Sequence, residues 1–260
     1  MAERTSYLEG TPSWVDLMTS DPEAARAFYG GLFGWEFDID PDPQTGHYTS
    51  CLLRGKRVAG MAGDPAPAGV GTFWTTYFAV DDVDKIAERV AEHGGKIQMA
   101  PMDVMEMGRM AMAADRDGAM FGMWQARAHT GAQLVNEPGT LTWNELNTRD
   151  LDGATAFYAE VFGLRWEDMD TGGAGPRYTI ANASAGSVAG ATEMAPEIPA
   201  EVPAYWAVYF WVADAAASAA KAAELGGTVQ VPVFDSPQGP IAALRDPQGG
   251  MFLIIQGQPS

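Results

Sequence analysis

Apolar and polar residues alternate from Trp14 to Met18, and an Asp-Pro-Glu triplet follows at 21–23. The alternation predicts a strand. The triplet predicts a helix start, with Ser20 or Asp21 as cap and proline in the first turn. Phe28, Leu32 and Phe33 supply the apolar face of that helix, and Gly34 stops it. Short strand-like runs follow, from Tyr48 to Leu53 and from Arg57 to Met61. A second round opens with a strand from Phe73 to Val80. Asp81-Asp82 then caps a helix with Val83, Ile86 and Val90 on one side, and Gly94-Gly95 closes it. Strands near Lys96 to Met99, Arg109 to Ala114 and Ala119 to Gln125 complete the round. Each round reads β-α-β-β-β.

The whole pattern then recurs. Trp14-Val-Asp-Leu-Met-Thr-Ser-Asp21 is answered by Trp143-Asn-Glu-Leu-Asn-Thr-Arg-Asp150, and Ala27-Phe-Tyr29 by Ala156-Phe-Tyr158. Trp74 to Asp81 is answered by Trp206 to Ala213, and Asp115-Arg-Asp-Gly118 by Asp246-Pro-Gln-Gly249. The chain therefore divides into a first module at 1–127, a linker at 128–140 containing Gly131, Pro138 and Gly139, and a second module at 141–260. The fold class predicted is α+β: four βαβββ units in two paired modules, with curved mixed sheets and outer helices.

Composition narrows the function. A hydrophobic fraction of 47% supports a sizeable core, and the single cysteine, Cys51, rules out an intrachain disulfide. Lys and Arg number 16 against 34 Asp and Glu, a net charge of -18. Such a chain repels nucleic-acid phosphates and anionic membranes, so the partner expected is a small molecule. No apolar run has the length of a membrane span, the first ten residues lack the apolar core of a signal peptide, and a cytoplasmic protein is expected.

A βαβββ unit ending in Asp-x-x-Gly, with Gln125 or Gln256 at the end of the last strand and a helix carrying Ala-Phe-Tyr and Phe-Gly, resembles the vicinal oxygen chelate superfamily. That group includes glyoxalase I, extradiol dioxygenases and bleomycin-binding proteins. The opening Trp-Val-Asp-Leu resembles an actinobacterial tandem-module branch with glyoxalase-like and hydroxylase-labelled members. The resemblance implies a divalent metal in the cup of a module, held at three strand positions. These fall on Trp14 and Trp143, on Thr75 and Ala207, and on Gly122 and Leu253. None is a ligand for zinc, iron or manganese. The three histidines do not replace them: His93 ends a helix, His129 lies in the linker and is expected to be solvated, and His47 starts a strand where the second module has Arg177. No metal and no cofactor are therefore expected, with a carboxylate-only magnesium site at Asp16 or Glu145 as the remaining alternative.

Strand parity places Trp14, Asp16 and Met18 on one face, with Tyr77, Met120 and Trp124 on the matching faces of their strands. In the second module the same face carries Trp143, Glu145, Tyr209 and Trp211. The candidate catalytic residues are Asp16 and Glu145, as poorly solvated carboxylates able to move a proton, and Tyr77 and Tyr209, as donors to a developing oxyanion. The candidate ligand-binding residues are Trp14, Trp143, Met18, Trp124, Trp211, Met120, His47 and Arg109. The competing reading is that the rings simply fill the cups and that the carboxylates pair with an arginine such as Arg109 or Arg177. Methionines at 99, 102, 105, 107, 110 and 112 are expected to line a pocket wall or core, and Gly172-Gly173-Ala-Gly175 to form a hairpin turn. The function expected is metal-independent handling of a hydrophobic aromatic molecule, as an enzyme using a cup carboxylate. The alternatives are a sequestering protein of the bleomycin-resistance type and a metal-dependent lyase or dioxygenase. Paired modules make a monomer self-sufficient, and a homodimer remains open.

Overall fold

Four aspartates start four helices. Asp21 caps α1 (Pro22–Phe33), Asp82 caps α2 (Val83–Glu92), Asp150 caps α3 (Leu151–Phe162) and Asp214 caps α4 (Ala215–Glu224). Each side chain accepts from the backbone N–H three residues on, which satisfies a donor with no partner inside its own helix. The computed structural model describes residues 2–62, 69–170, 176–184 and 186–257. The expected turn at Gly172 to Gly175 lies outside them.

The strands are β1 (Ala2–Glu3), β2 (Pro12–Met18), β3 (Glu36–Ile39), β4 (Thr49–Leu53), β5 (Lys56–Met61), β6 (Phe73–Ala79), β7 (Lys96–Val104), β8 (Gly108–Ala114) and β9 (Met120–Ala126). They continue as β10 (Leu134–Val135), β11 (Leu141–Thr148), β12 (Arg165–Asp168), β13 (Tyr178–Ala183), β14 (Gly186–Glu193), β15 (Tyr205–Val212), β16 (Thr228–Ser236), β17 (Gly239–Arg245) and β18 (Met251–Gln256). Two eight-stranded mixed sheets result, in the orders β3-β4-β5-β2-β6-β9-β8-β7 and β12-β13-β14-β11-β15-β18-β17-β16. The orders match strand for strand, so the repeat in sequence is a repeat in topology. In each sheet the central pair is antiparallel, flanked by one parallel pair on either side. The segment between the sheets is more than a tether: β10 pairs with β1, and both of its residues are buried.

The face of each sheet away from the cup buries Leu17, Phe78, Phe210, Phe252 and Ile254 completely. The helices cover that face, and they are shared between the sheets. One core joins α1 to β15, β18 and α4; the other joins α3 to β6, β9 and α2. The Ala-Phe-Tyr motif is the hinge pin of this exchange. The Tyr29 hydroxyl on α1 donates to Asp246 Oδ2 at 2.9 Å and accepts from Trp74 Nε1 at 3.0 Å. Its counterpart Tyr158 on α3 donates to Asp115 Oδ2 at 3.0 Å and accepts from Trp206 Nε1 at 2.8 Å. Each tyrosine thus holds the Asp-x-x-Gly turn of the opposite sheet. Replacing either with phenylalanine strands a buried carboxylate oxygen and an indole N–H. Tyr29→Phe and Tyr158→Phe should each lose about 1–3 kcal/mol in urea denaturation. An unchanged midpoint in both variants would show that these bonds do not join the sheets energetically.

Candidate functional site

The opposite faces of the sheets form the two cups. In the first, Trp14 lies in register with Tyr77, Tyr77 with Gly122, and Gly122 with Met112. Residues in register share a face, so this row runs across the cup floor. Asp16 stands beside it, in register with Gly60 on one side and Thr75 on the other. Its Oδ1 accepts from Trp14 Nε1 at 2.7 Å and from the Tyr48 hydroxyl at 2.6 Å, and Tyr77 aims a third donor at it. Trp14 Nε1 also reaches the Tyr48 hydroxyl, at 3.0 Å.

The second cup repeats this cluster. Glu145 Oε1 accepts from the Tyr209 hydroxyl at 3.0 Å and more weakly from Asn147 Nδ2 at 3.4 Å, and Tyr178 is a further donor. Trp143 Nε1 donates to the Tyr178 hydroxyl at 2.9 Å. The correspondence is complete: Trp14 with Trp143, Asp16 with Glu145, Tyr48 with Tyr178, Tyr77 with Tyr209, and Gly60 with Gly190. The glycines matter sterically. A Cβ on Gly60 would lie 1.8 Å from the Tyr48 hydroxyl, and one on Gly190 would lie 2.0 Å from that of Tyr178.

Burial pushes both carboxyls above their ordinary range, and the tyrosine and tryptophan donors pull back against it. Among the described residues no arginine joins either cluster. Arg109 projects from the other face of β8, where it pairs with Asp84 of α2 and with Asp103. As a ligand-binding candidate it is misplaced by one step of strand parity, its β8 neighbour Met110 facing the cup instead. Arg177 pairs with Asp152 and Asp168. Pairing of the cup carboxylates with these arginines is therefore corrected: their partners are phenols and indoles. The carboxylate of the tyrosine-rich cluster also presses on its neighbours, raising Tyr48, Tyr77 and Tyr209 well above the usual phenol range after burial itself.

The remaining candidates scatter. Met18 lies in register with Phe73 at the rim of the first cup, and Met120 is exposed at the same rim. Trp124 sits at the other end, where its Nε1 donates to the His129 carbonyl at 2.8 Å. His129 is not solvated: its ring packs edge-on to Trp14 at 4.4 Å, and its buried Nε2 has no partner among the described residues. His47 is exposed in a left-handed turn, with Nδ1 3.3 Å from the Asp40 carbonyl, and does not enter the cup. Trp211 closes the corresponding end of the second cup, against Gly257. The methionines divide. Met110 and Met112 pack into the first cup, while Met99, Met102, Met105 and Met107 are exposed. Two surface clefts, of about 190 and 180 Å³, lie behind Trp124 and beside Arg149; neither contains Asp16 or Glu145.

Residues 11–123 and 129–254 each match the Glyoxalase/Bleomycin resistance protein/Dioxygenase superfamily. The chain belongs to this superfamily. It is 46% identical over 263 residues to CFP32 of Mycobacterium tuberculosis, which is named provisionally as a glyoxylase; the match covers 100% of this chain and 99% of that one. It is 37% identical over 265 residues to the anthracycline biosynthesis protein DnrV of Streptomyces peucetius, covering 97% of this chain and 95% of DnrV. Among solved structures, the Mn(II)-bound glyoxalase from Novosphingobium aromaticivorans aligns with a TM-score of 0.65 at 15% identity, over 96% of this chain and 83% of that one. The trihydroxybiphenyl dioxygenase of Sphingomonas wittichii aligns with the same TM-score at 13% identity, over 96% and 91%. These structural likenesses speak for the fold.

The superfamily implies a divalent ion, and the donor set decides whether this chain suits one. Across the central strands, Asp16 is flanked by Gly60 and Thr75, and Glu145 by Gly190 and Ala207. Among the described residues each cup thus holds one desolvated carboxylate among neutral phenols; Asp38 and Glu167 share these rows but stand exposed on the edge strands β3 and β12. Among the described residues no three of His, Cys, Asp and Glu gather closely enough to hold an ion. These residues do not fit a divalent metal. No helix among the described residues is long and apolar enough to cross a membrane.

Proposed function

We propose that this chain binds a flat, hydrophobic aromatic molecule across its aromatic cups and moves a proton on it with a cup carboxylate, without a metal. One observation carries the reading. The same cluster of a desolvated carboxylate, an indole and two phenols is built twice, on corresponding strands, with a glycine beneath each to admit it. A carboxylate held away from cations and water is a stronger base than one in solution. It would take a proton from a ligand carbon made acidic by a neighbouring carbonyl. The tyrosine hydroxyls would donate to the oxygen on which the charge collects. The proton would then return from the carboxyl to the same or a conjugated carbon. The Streptomyces relatives named for anthracycline biosynthesis support an aromatic, carbonyl-bearing ligand class.

The test uses dihydroxyanthrone, whose methylene is acidified by its ring carbonyl. Exchange of that methylene in deuterium oxide, without oxygen and with chelator present, is followed by NMR. The protein should accelerate it, and the double variant Asp16→Asn, Glu145→Gln should lose about a hundred- to ten-thousandfold of the acceleration. Full activity in the double variant, or loss of activity with chelator alone, would sink the proposal. A protein that only sequesters its ligand is the second reading, favoured by the methionine wall at Met110 and Met112, which adapts to irregular shapes. Tight binding with no exchange would select it.

A further inference from the structure

The two cups share their central cluster but differ around it. In the first, the rim pair in register is Met18 with Phe73; in the second it is Asn147 with Tyr205. Where the first sheet has Ala114, in register with Met120, the second has Arg245, in register with Met251. Because β15 and β18 run in parallel with Tyr209 opposite Leu253, Met251 falls beside Ala207, and Ala207 is opposite Glu145. Glu145, Ala207, Met251 and Arg245 therefore form one row across the second cup. Three strand steps separate its ends, about 14 Å along the sheet and less across a concave face.

Arg245 is partly exposed, donating to Gln230 Oε1 at 3.1 Å and to the Gly249 carbonyl at 2.8 Å. Both acceptors are neutral, and among the described residues no carboxylate pairs with it. Tyr205 lies close enough to feel both Glu145 and Arg245. The far ends differ as well. The first cup's cluster of Trp14, Tyr77 and Trp124 includes Ala132 and Val135 of the inter-module segment, whereas the second cup's cluster contains nothing from that segment.

We infer that the second cup is the binding site for a planar aromatic acid, its ring system over Ala207 and Met251, its carboxylate on Arg245, and its far edge against Glu145 and Tyr209. This rests on the aromatic-ligand reading above and adds the cup and the charge. The guanidinium fork suits a carboxylate, and the row supplies one cation and one proton-handling group at opposite ends of a flat floor. The first cup has no cation in that row until Lys96, one strand further out on the exposed edge.

A dihydroxyanthraquinone carboxylate and its carboxyl-free parent separate the possibilities, titrated by quenching of tryptophan fluorescence. The acid should bind the wild type about ten- to a hundredfold more tightly than the parent. Arg245→Gln should abolish that preference while still binding the parent. Arg245→Lys should restore part of it, which guards against a folding defect. Lys96→Gln should leave the preference intact. Equal affinities in the wild type, or a preference lost in Lys96→Gln and kept in Arg245→Gln, would overturn the assignment. If neither probe binds, the aromatic-ligand reading itself fails, and this inference with it.

Discussion

Gly190→Ala should cost the second cup about a hundredfold in binding or proton exchange while leaving a cooperative unfolding transition. Gly190 has an ordinary extended backbone, so alanine is locally acceptable. What alanine cannot do is avoid the Tyr178 hydroxyl, 2.0 Å from the new Cβ, with Trp143 Nε1 at 3.0 Å. The tyrosine must move, and it takes a donor away from Glu145. A displacement of about 1 Å at a reacting group is enough for a loss of that size. Gly60→Ala repeats the experiment in the first cup, where the new Cβ would meet the Tyr48 hydroxyl at 1.8 Å and Asp16 Oδ1 at 1.9 Å. If only the second cup binds ligand, Gly60→Ala leaves affinity intact and Gly190→Ala does not. If both variants bind and exchange as the wild type does, the tyrosine–carboxylate clusters are structural. Dihydroxyanthrone exchange and anthraquinone titration read the two outcomes directly.

The fold was legible because its signals are redundant. Each helix has an aspartate cap and each sheet repeats the same strand order, so one missed element does little damage. The missed strands were β3 and β12, four residues each and largely exposed, and the two-residue pair β1 and β10, the second inside the expected linker. β3 and β12 each turn one aromatic, Phe37 or Trp166, onto a core, and β1 and β10 have two residues each; runs this short give alternation too few positions to stand out. The site was half legible. Parity along β2 and β11 puts Asp16 and Glu145 among tryptophans without any knowledge of neighbouring strands. Tyr48 and Tyr178 align in the repeat, one residue after His47 and Arg177, but they reach Asp16 and Glu145 across an intervening strand, and no local pattern encodes that reach. A single step of parity separates an exposed turn from a donor 2.6 Å from Asp16. Arg245 was missed for the same reason. Its distance from Glu145 depends on the pairing of four strands, and no local pattern encodes that pairing.

The repeat also explains why the cups were free to diverge. The tyrosine latches at Tyr29 and Tyr158 lie on the helical side of the sheets, remote from the cup faces. A change on a cup face does not touch these latches. The polar rim of Asn147, Tyr205 and Arg245 and the methionine wall of the first cup are therefore alternative surfaces on one scaffold.

His129 gives the first cup an acid-sensitive contact. Burial against Trp14 and Trp124 lowers its pKa to about 4, with Arg57 adding to the effect, so the folded protein holds it neutral at pH 7. An unfolded histidine titrates near 6.5. Between these values the unfolded chain binds the extra proton and the folded chain does not. Stability from this group is therefore intact above pH 6.5 and is lost as the pH falls towards 4, by about 3 kcal/mol at most. Asp16 acts in the opposite sense. Its carboxyl is raised in the fold, so the folded chain binds the extra proton, and acidification through the carboxylate range favours folding. Wild-type stability alone mixes the two, and the difference from a variant isolates the histidine. His129→Phe keeps a ring against Trp14 and removes the titration. Its urea midpoint should match or fall below the wild type at pH 7 and exceed it, relative to that baseline, at pH 4.5. If the gap between the two proteins is the same at both pH values, burial against Trp14 and Trp124 does not hold His129 neutral.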